Sequence, residues 1–256
     1  MRNMKHPNKI NILGVGISAI RMADAISKME EWIEKNERHY VCVCPVSTIM
    51  ECQKDERLHD IVNSAGLATP DGMPLVWLSK LNGFPYTERV YGPDLMLAFC
   101  KVAEEKGYSN FFYGGANGVP EKLARNLRKR FPRLKVAGTY SPPFRPLTQE
   151  EDQIVIEMIN KAFPEVVWVG ISTPKQDKWM AEHIGKINAP VMVGVGAAFN
   201  FFSGEVRQAP RWMQRSGLEW LFRLSQEPAR LWYRYLVYNP LFVLNLLLQW
   251  SRLRKY

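Results

Sequence analysis

The chain has 256 residues and a formal net charge of +9 at pH 7. Its hydrophobic content of 46% and charged content of 23% are typical of a globular protein, and its length is sufficient to bury a core. No segment reaches the roughly 20 apolar residues of a membrane-spanning helix, and no cleavage site follows the N-terminal apolar run, so we expect neither a membrane-spanning nor an exported protein.

Short apolar runs alternate with amphipathic runs along the first third of the chain. Apolar residues at helical spacing, bounded by turn residues, predict helices at residues 18–36, 49–65 and 74–81. The apolar runs between them predict strands at residues 10–14, 40–46 and 67–69.

The same alternation continues to residue 202. It predicts helices at residues 93–106, 119–130, 148–162 and 174–184, and strands at residues 110–113, 134–139, 166–170 and 191–195. This order predicts an α/β fold in which helices cover both faces of a mostly parallel, Rossmann-like sheet. After Phe202 only helical sequence remains, so we predict a core domain at residues 1–204 and a helical, membrane-associating C-terminal appendage at residues 205–256.

The C-terminal appendage carries nine Arg or Lys against three Glu, so it holds +6 of the formal net charge. We expect Asn239 to cap a helix that starts at Pro240, with Phe242 and Trp250 adding aromatic bulk for a membrane interface. Its apolar face comprises Leu241, Leu244, Leu247 and Leu248, its polar face Asn245, Gln249 and Arg252, and Arg254 and Lys255 follow. Such a basic amphipathic helix is typical of an enzyme that binds an anionic membrane surface. The alternative is a helical cap that packs on the core or on a second subunit.

Gly14-Val-Gly16-Ile-Ser-Ala19 follows a predicted strand and has the form of a dinucleotide-binding fingerprint. That fingerprint also needs an acidic residue at the end of the second strand, where this chain has Cys44-Pro-Val-Ser47. We therefore interpret the glycines as a strand-to-helix turn. A nicotinamide-dependent oxidoreductase stays as an alternative function.

Asp71 lies at the carboxyl end of a predicted strand, in Thr69-Pro-Asp-Gly72, just before a helix. Ligands of open α/β sheets bind at this edge, so Asp71 is a candidate general base toward a hydroxyl nucleophile. The alternative is a carboxylate that only caps the helix.

Arg89 lies in a predicted loop and is a candidate for neutralising the charge of a diphosphate. The alternative is that Arg89 only forms an ion pair on the surface.

Three further turns follow predicted strands and combine glycine with polar side chains. They contain Gly114 and Gly115; Ser172, Thr173, Lys175 and Gln176; and Gly194, Gly196 and Asn200. Backbone N–H groups and helix N-termini at such turns suit a phosphate- or nucleotide-sized ligand.

The chain has no Asp-x-Asp pair, and its histidines and cysteines lack metal-ligand spacing, so we predict no metal and no other cofactor. It also lacks a nucleic-acid-binding motif, so we predict no nucleic-acid partner.

Several longer motifs follow one another in a fixed order. They are AGLATPDGMPLVW (65–77), ERVYGPDL (88–95), FYGG (112–115), SPPF (141–144), PKQD (174–177), GVGAAFNF (194–201), RQAPRW (207–212), GLEWLFRL (217–224) and EPAR (227–230). In this order they resemble the WecG/TagA/CpsF family of bacterial glycosyltransferases, glycosyltransferase family 26, over roughly residues 10 to 235.

The resemblance implies transfer of a sugar from a UDP-sugar to a polyprenyl-diphosphate-linked acceptor in cell-surface polysaccharide synthesis. N-acetylmannosamine, its uronic acid and glucose are the candidate sugars. The resemblance also implies catalysis without a bound metal, with Asp71 as the base and with Gln176 and residues 194–200 around the nucleotide-sugar. In the family a C-terminal appendage, matched here by the Arg-rich tail, closes over the active site at the membrane.

The chain departs from the family pattern in one loop and at two further positions. The loop after the second strand reads Cys44-Pro-Val-Ser-Thr48 where the family often has Asn or Thr, so Ser47 or Thr48 takes that place. Asn200 replaces an Asp, and Asp177 replaces a Glu, which keeps hydrogen-bonding character with altered charge or reach.

We therefore predict an inverting, metal-independent glycosyltransferase that is cytoplasmic and peripheral on the inner face of the cell membrane. The acceptor hydroxyl needs a base as it attacks the anomeric carbon, and the UDP leaving group needs positive charge. Beyond the three turns, the predicted substrate-binding residues are Ser47, Thr48, Thr69, Arg89, Arg207, Arg211, Arg215 and Arg223. A non-enzymatic membrane-surface adaptor is a further alternative, and homo-oligomerisation is left open.

Overall fold

The computed structural model describes residues 7–254 and 256. It confirms an α/β fold with a parallel sheet flanked by helices. The strands in the described chain are β1 (Lys9–Ile12), β2 (Val15–Ser18), β3 (His39–Cys44), β4 (Leu67–Pro70), β5 (Ser109–Gly114), β6 (Lys135–Tyr140), β7 (Val166–Gly170) and β8 (Val191–Gly194).

Helices fill most of the remaining described chain. They are α1 (Met22–Lys35), α2 (Val46–Cys52), α3 (Glu56–Ser64), α4 (Met73–Leu81), α5 (Gly92–Lys106), α6 (Val119–Arg130), α7 (Gln149–Ala162), α8 (Lys175–His183), α9 (Ala198–Ser203), α10 (Arg211–Arg215), α11 (Glu219–Gln226), α12 (Pro228–Trp232) and α13 (Tyr238–Trp250), with a π-helical segment at Tyr233–Val237 between the last two.

The main sheet has the strand order β4-β3-β8-β7-β5-β6. Strand β8 pairs in parallel with both β3 and β7, and Val191 lies beside His39 on one side and Val166 on the other. Strand β5 pairs in parallel with β7 and β6. Because parallel strands end at the same edge of a sheet, the turns that follow β5, β7 and β8 lie together, as the sequence predicts.

The chain divides into two compact units, each assembled from separated stretches. Unit 1 comprises the chain up to Met22, Val43–Tyr91 and Gln208–Tyr256, and unit 2 comprises Ala23–Cys42 and Gly92–Arg207. The predicted division of the sequence at residues 204/205 remains a prediction. In the described chain beyond Gly204, every regular element is a helix.

The centre of unit 2 is built on strands that are apolar along their whole length. Val166–Val169 of β7 are fully buried, which is typical of a parallel strand covered on both faces. The one polar atom of Trp168 is satisfied there, because its Nε1–H donates to Asn110 Oδ1 at 2.9 Å.

The strand-to-helix turn predicted at residues 14–19 is wrong, although the strand before it and the helix after it are present. Strands β1 and β2 form an antiparallel hairpin, with Ile12 paired to Val15 and Leu13 and Gly14 at the turn. Leu13 has a φ of 51° and Gly14 a φ of 81°, as a two-residue hairpin turn requires. The glycines therefore do not open a strand-to-helix turn, and the nicotinamide alternative loses its only sequence support because Gly16 lies within strand β2 and not at a helix N-terminus.

The helix predicted at residues 49–65 is two helices. Helix α2 ends at Cys52, and Asp55 caps α3 by accepting a hydrogen bond from the Leu58 N–H at 3.0 Å. The remaining predicted helices and strands before residue 204 are present, with small shifts at their ends.

The C-terminal helix begins earlier than predicted. Asn239 is not a cap, because α13 starts at Tyr238 and continues from the π-helical segment. Phe242 is buried together with Tyr238 and Leu246, so its predicted position at a membrane interface is wrong. Arg252 lies beyond the helix end at Trp250, so it does not extend the polar face.

Two sets of polar contacts hold α13 in unit 1. The Tyr238 hydroxyl donates to Glu51 Oε1 at 2.6 Å, and Lys54 Nζ donates to the Tyr238 hydroxyl at 3.1 Å. Further along, Gln249 Oε1 accepts from the Leu13 N–H at 3.1 Å. One side of α13 is therefore fixed to α2 and to the β1–β2 turn.

The other side of α13 is exposed and apolar. Leu244 is 52% exposed, Leu247 53% and Trp250 56%. Within the described residues no helix combines the length and apolarity needed to cross a membrane. Lys255, predicted to add positive charge after the helix, lies outside the described residues.

Candidate active site

Asp71 lies at the end of β4, where the backbone turns toward α4. Its N–H donates to the Cys44 carbonyl at 3.1 Å, which ties it to the end of β3. Gly72 occupies the N-cap position of α4, and no side chain caps that helix. The alternative that Asp71 only caps α4 is therefore wrong, and its carboxylate is directed to other partners.

The segment that carries Arg89 pairs with the end of β4. The Val90 N–H donates to the Pro70 carbonyl at 3.0 Å, and the Thr69 hydroxyl donates to the Val90 carbonyl at 3.1 Å. These two bonds fix the backbone on either side of Asp71 and Arg89. Thr69, a predicted substrate-binding residue, is fully buried and here serves this pairing.

Arg89 binds Asp71 twice. Its Nε–H donates to the Asp71 carbonyl, and its Nη2 lies 3.3 Å from Asp71 Oδ1. The same Nη2 lies 2.5 Å from Glu219 Oε2, and the guanidinium stacks over the Tyr91 ring at 4.0 Å. Arg89 is 17% exposed, so the alternative of a surface ion pair is wrong.

Glu219 begins α11 and completes the cluster. Its second oxygen, Oε1, accepts from the Tyr91 hydroxyl at 2.7 Å. The Glu219 side chain is 10% exposed, and a carboxylate so deeply buried needs both oxygens paired. We call Asp71, Arg89, Tyr91 and Glu219 the carboxylate cluster; all four belong to unit 1.

Burial raises the pKa of the Asp71 carboxyl to about 6. The positive charge of Arg89 opposes that rise, Glu219 adds to it, and Arg223 opposes it. Burial, reinforced by the Glu219 charge, also holds the pKa of Tyr91 well above its ordinary value. Near neutral pH Asp71 is therefore ionised but readily protonated, which suits a group that accepts a proton.

Ser47 and Thr48 occupy the first turn of α2, directly after β3. Both side chains are buried, and within the described residues neither hydroxyl meets a hydrogen-bond partner. Buried hydroxyls are normally bonded, so an unpaired pair at a helix start is a candidate for ligand contact. The two unpaired hydroxyls are therefore compatible with the predicted substrate-binding role of Ser47 and Thr48.

The turns of unit 2 approach one another closely. The Gly115 N–H donates to the Gly170 carbonyl at 3.1 Å, and a Cβ added at Gly114 would come within 2.6 Å of Gly170. A Cβ added at Gly170 would come within 2.4 Å of Phe199. Only glycine permits these contacts, so the turns that follow β5 and β7 pack backbone against backbone.

Gln176 lies against the turn that follows β8. A Cβ added at Gly194 would come within 2.9 Å of Gln176 Nε2, and one added at Gly196 within 3.4 Å of Gln176 Oε1. Nε2 donates to the Thr173 hydroxyl at 3.2 Å, whereas Oε1 is buried and meets no hydrogen-bond partner in the part of the chain described. Ser172 and Lys175 in the same turn are exposed.

Asp177, beside Gln176, is also buried. Burial raises the pKa of its carboxyl to about 6, and the neighbouring Cys42 and Thr173 side chains oppose that rise. Asn200 lies half-buried in α9, after Gly194 and Gly196. Unit 2 therefore brings together the predicted residues of three strand-end turns.

The predicted arginines of the appendage differ in position. Arg223 of α11 is 17% exposed, and its charge acts on the Asp71 carboxyl. Arg211 and Arg215 of α10 and Arg207 before it are exposed, and none of these three is among the charges that act on Asp71. Of these four arginines, only Arg223 is placed beside the carboxylate cluster.

Sequence reasoning missed Glu219 and Tyr91. Both lie inside motifs quoted for the family resemblance, but neither was given a role. The available signal was the charge count, because Glu219 is one of three acidic residues in a strongly basic stretch. An acidic residue in such a basic stretch predicts a specific basic partner, which the structure identifies as Arg89.

No group of three or more His, Cys, Asp or Glu side chains that could hold a metal ion occurs among the described residues.

Comparison with known proteins gives a consistent result. The sequence profile described as "Glycosyl transferase WecG/TagA/CpsF family" matches residues 10–256. A Bacillus spizizenii (strain W23) protein named N-acetylglucosaminyldiphosphoundecaprenol N-acetyl-beta-D-mannosaminyltransferase is 30% identical over 80% of this chain and 77% of its own length. Its namesake in Bacillus subtilis (strain 168) is 30% identical over 82% and 83%, and one in Staphylococcus aureus (strain MW2) is 24% identical over 87% of each chain.

The raised pKa of Asp71 predicts a stability cost at neutral pH. In the unfolded chain the carboxyl titrates near 4, so the folded state binds this proton more tightly. The cost is absent below about pH 4, grows as the pH rises, and is complete above about pH 6, at roughly 1–3 kcal/mol. Asp71→Asn should therefore unfold at a higher temperature than the native chain at pH 7.5, with the difference shrinking toward pH 4, as measured by calorimetry. A lower unfolding temperature for Asp71→Asn at pH 7.5 would contradict this assignment.

Proposed function

Because the chain belongs to the WecG/TagA/CpsF family of glycosyl transferases, we propose that it transfers N-acetylmannosamine from a UDP-sugar to a polyprenyl-diphosphate-linked N-acetylglucosamine. Its activity as a glycosyltransferase follows from that membership. The acceptor and the transferred sugar are those in the names of the Bacillus relatives. The product belongs to a cell-surface polymer.

The observation that carries the proposal is the Asp71 carboxylate, which is only 18% exposed and whose pKa burial raises to about 6. An acceptor hydroxyl is a weak nucleophile at neutral pH, and a positioned base removes its proton as it attacks the anomeric carbon. Asp71 accepts that proton, and the bond to the UDP oxygen breaks in the same displacement, which inverts the anomeric centre. Arg89 restrains Asp71 through its backbone carbonyl and one carboxylate oxygen.

In this proposal the UDP moiety binds the strand-end turns of unit 2. Support comes from the close backbone approach at Gly114 and Gly170 and from the buried, unsatisfied Oε1 of Gln176 in the described chain. Backbone N–H groups at glycine turns and the N-terminus of α8 suit a diphosphate. Lys175, exposed at the start of α8, adds positive charge.

We further propose that the enzyme is peripheral on the cytoplasmic face of the membrane and binds it through α13. The exposed side of that helix carries Leu244, Leu247 and Trp250, and Arg252 and Arg254 follow it. Apolar side chains enter the headgroup region, and each nearby basic residue contributes about 1 kcal/mol on an anionic surface.

Replacing Asp71 tests the role of the base. Asp71→Asn should lower turnover by roughly 10²–10⁴ while UDP affinity, measured by calorimetric titration, changes little. Asp60→Asn is a matched control, because that side chain is 75% exposed and should leave turnover unchanged. Near-normal turnover in Asp71→Asn would exclude Asp71 as the base.

Chelation tests the absence of a metal from the mechanism. We expect the enzyme to retain its turnover in excess EDTA, since the arginines and helix N-termini above supply the positive charge that a metal would supply. The assay follows UDP release with and without added Mg²⁺ or Mn²⁺. A complete loss of turnover in EDTA that either ion restores would overturn the metal-independent mechanism.

Charge substitution on α13 tests membrane binding without uncovering the core. Leu244→Glu combined with Leu247→Glu should abolish cosedimentation with anionic liposomes, because both side chains are about half exposed on the apolar side. Leu81→Glu combined with Ile154→Glu is the matched control, at residues that are 75% and 59% exposed elsewhere. Equal cosedimentation of the two variants would show that α13 is not the membrane contact.

A further inference from the structure

Glu219 stands out as a buried charge that the proposed reaction does not use. It lies in α11, far along the chain from Asp71, and 8% of the residue is exposed. Both carboxylate oxygens are paired within the described residues, since Oε2 accepts from Arg89 Nη2 and Oε1 accepts from the Tyr91 hydroxyl. An ionised carboxylate is buried in this way only when its pairing offsets the desolvation, so its partners define what it does.

Arg89 is shared unequally between two carboxylates. Its Nη2 lies 2.5 Å from Glu219 Oε2 but 3.3 Å from Asp71 Oδ1. A guanidinium can bind one carboxylate with two parallel hydrogen bonds, and Arg89 does not bind Asp71 in that way. Its Nε donates to the Asp71 carbonyl instead. Glu219 therefore draws one edge of the guanidinium away from the Asp71 carboxylate.

The position of Arg89 affects how well Asp71 can act as a base. A close, bidentate arginine stabilises the ionised carboxylate, lowers its pKa and weakens it as a proton acceptor. The charges that act on Asp71 are Arg89, Glu219 and Arg223, in that order after burial. The neighbouring Tyr91 and Tyr235 are neutral at working pH, since the ordinary pKa of tyrosine is about 10 and burial raises the pKa of each further.

We propose that Glu219 is a positioning residue, which holds Arg89 so that the guanidinium restrains Asp71 without neutralising it. This inference rests on the proposed role of Asp71 as the base. In this proposal the helical segment after residue 208 contributes more than arginines to the site. Its helix α11 also carries the Glu219 carboxylate, which keeps Asp71 basic. The Glu219–Arg89 pair is then the link between that segment and the reacting carboxylate.

The test is the pH dependence of kcat/KM in the full-length chain. Glu219→Gln removes the charge but keeps the shape, so Arg89 is free to turn to Asp71 and lower its pKa. We expect the acidic limb of the profile to move to lower pH by about one unit and the plateau above pH 7 to fall roughly 3- to 10-fold. Glu219→Asp, which keeps the charge on a shorter side chain, should show a smaller shift in the same direction.

Three results separate the possible outcomes. An acidic limb that stays in place in both variants, with turnover of Asp71→Asn strongly lowered, contradicts the role of Glu219 and leaves the base intact. If Asp71→Asn keeps near-normal turnover, the proposed base is wrong and the Glu219 inference fails with it. In the Asp71→Asn background Glu219→Gln should not lower the residual rate further, whereas a residue needed only for folding would lower it again. Thermal melts identify any variant that does not fold; if Glu219→Gln is one, the profile of Glu219→Asp decides.

Discussion

One guanidinium, shared by two carboxylates and mostly shielded from water, is the interaction on which the candidate site depends. Asp71 and Glu219 would each be costly to bury alone, and Arg89 reduces that cost for both. The sharing is unequal, with the shorter distance to Glu219. The group that is proposed to react is therefore the less neutralised of the two. Burial raises its pKa to about 6, and the positive charge of Arg89 only partly offsets that rise.

This interaction requires three stretches of chain that are distant in sequence. β4 supplies Asp71, the segment paired to its end supplies Arg89 and Tyr91, and α11 supplies Glu219. The backbone hydrogen bond from Val90 to Pro70 and the bond from the Thr69 hydroxyl to Val90 position the first two stretches. Glu219 itself holds the third stretch. Gly217 allows that stretch to approach Trp77 closely, because a Cβ added at Gly217 would come within 3.3 Å of the Trp77 ring. A functional cluster therefore forms only when the C-terminal helices are in place.

Much of the fold could be predicted from the sequence, because alternation and helical spacing are local signals. The hairpin was missed because its turn is Leu13-Gly14, which lacks the Asn-Gly or Asp-Gly pair typical of such turns. The burial of Phe242 was missed because residues 241–248 are apolar on almost every side, so periodicity cannot identify the buried face.

The candidate site was predictable only in part. Asp71, Arg89 and the strand-end turns follow from strand ends and glycines, which are visible locally. Glu219 was not predictable in this way, because its role depends on a pairing across 130 residues with Arg89. The fixed order of family motifs identified the segment that contains it, but order alone does not show which side chains meet.

The most direct test of this account is a titration of the Asp71 carboxyl by ¹³C NMR in the intact, unliganded protein, assigned by the resonance that Asp71→Asn removes. The account predicts a midpoint near pH 6, well above the roughly 4 of an unperturbed aspartate. A midpoint at or below 4 would show that Arg89 neutralises Asp71 fully, and would contradict both its role as the base and the sharing of the guanidinium with Glu219.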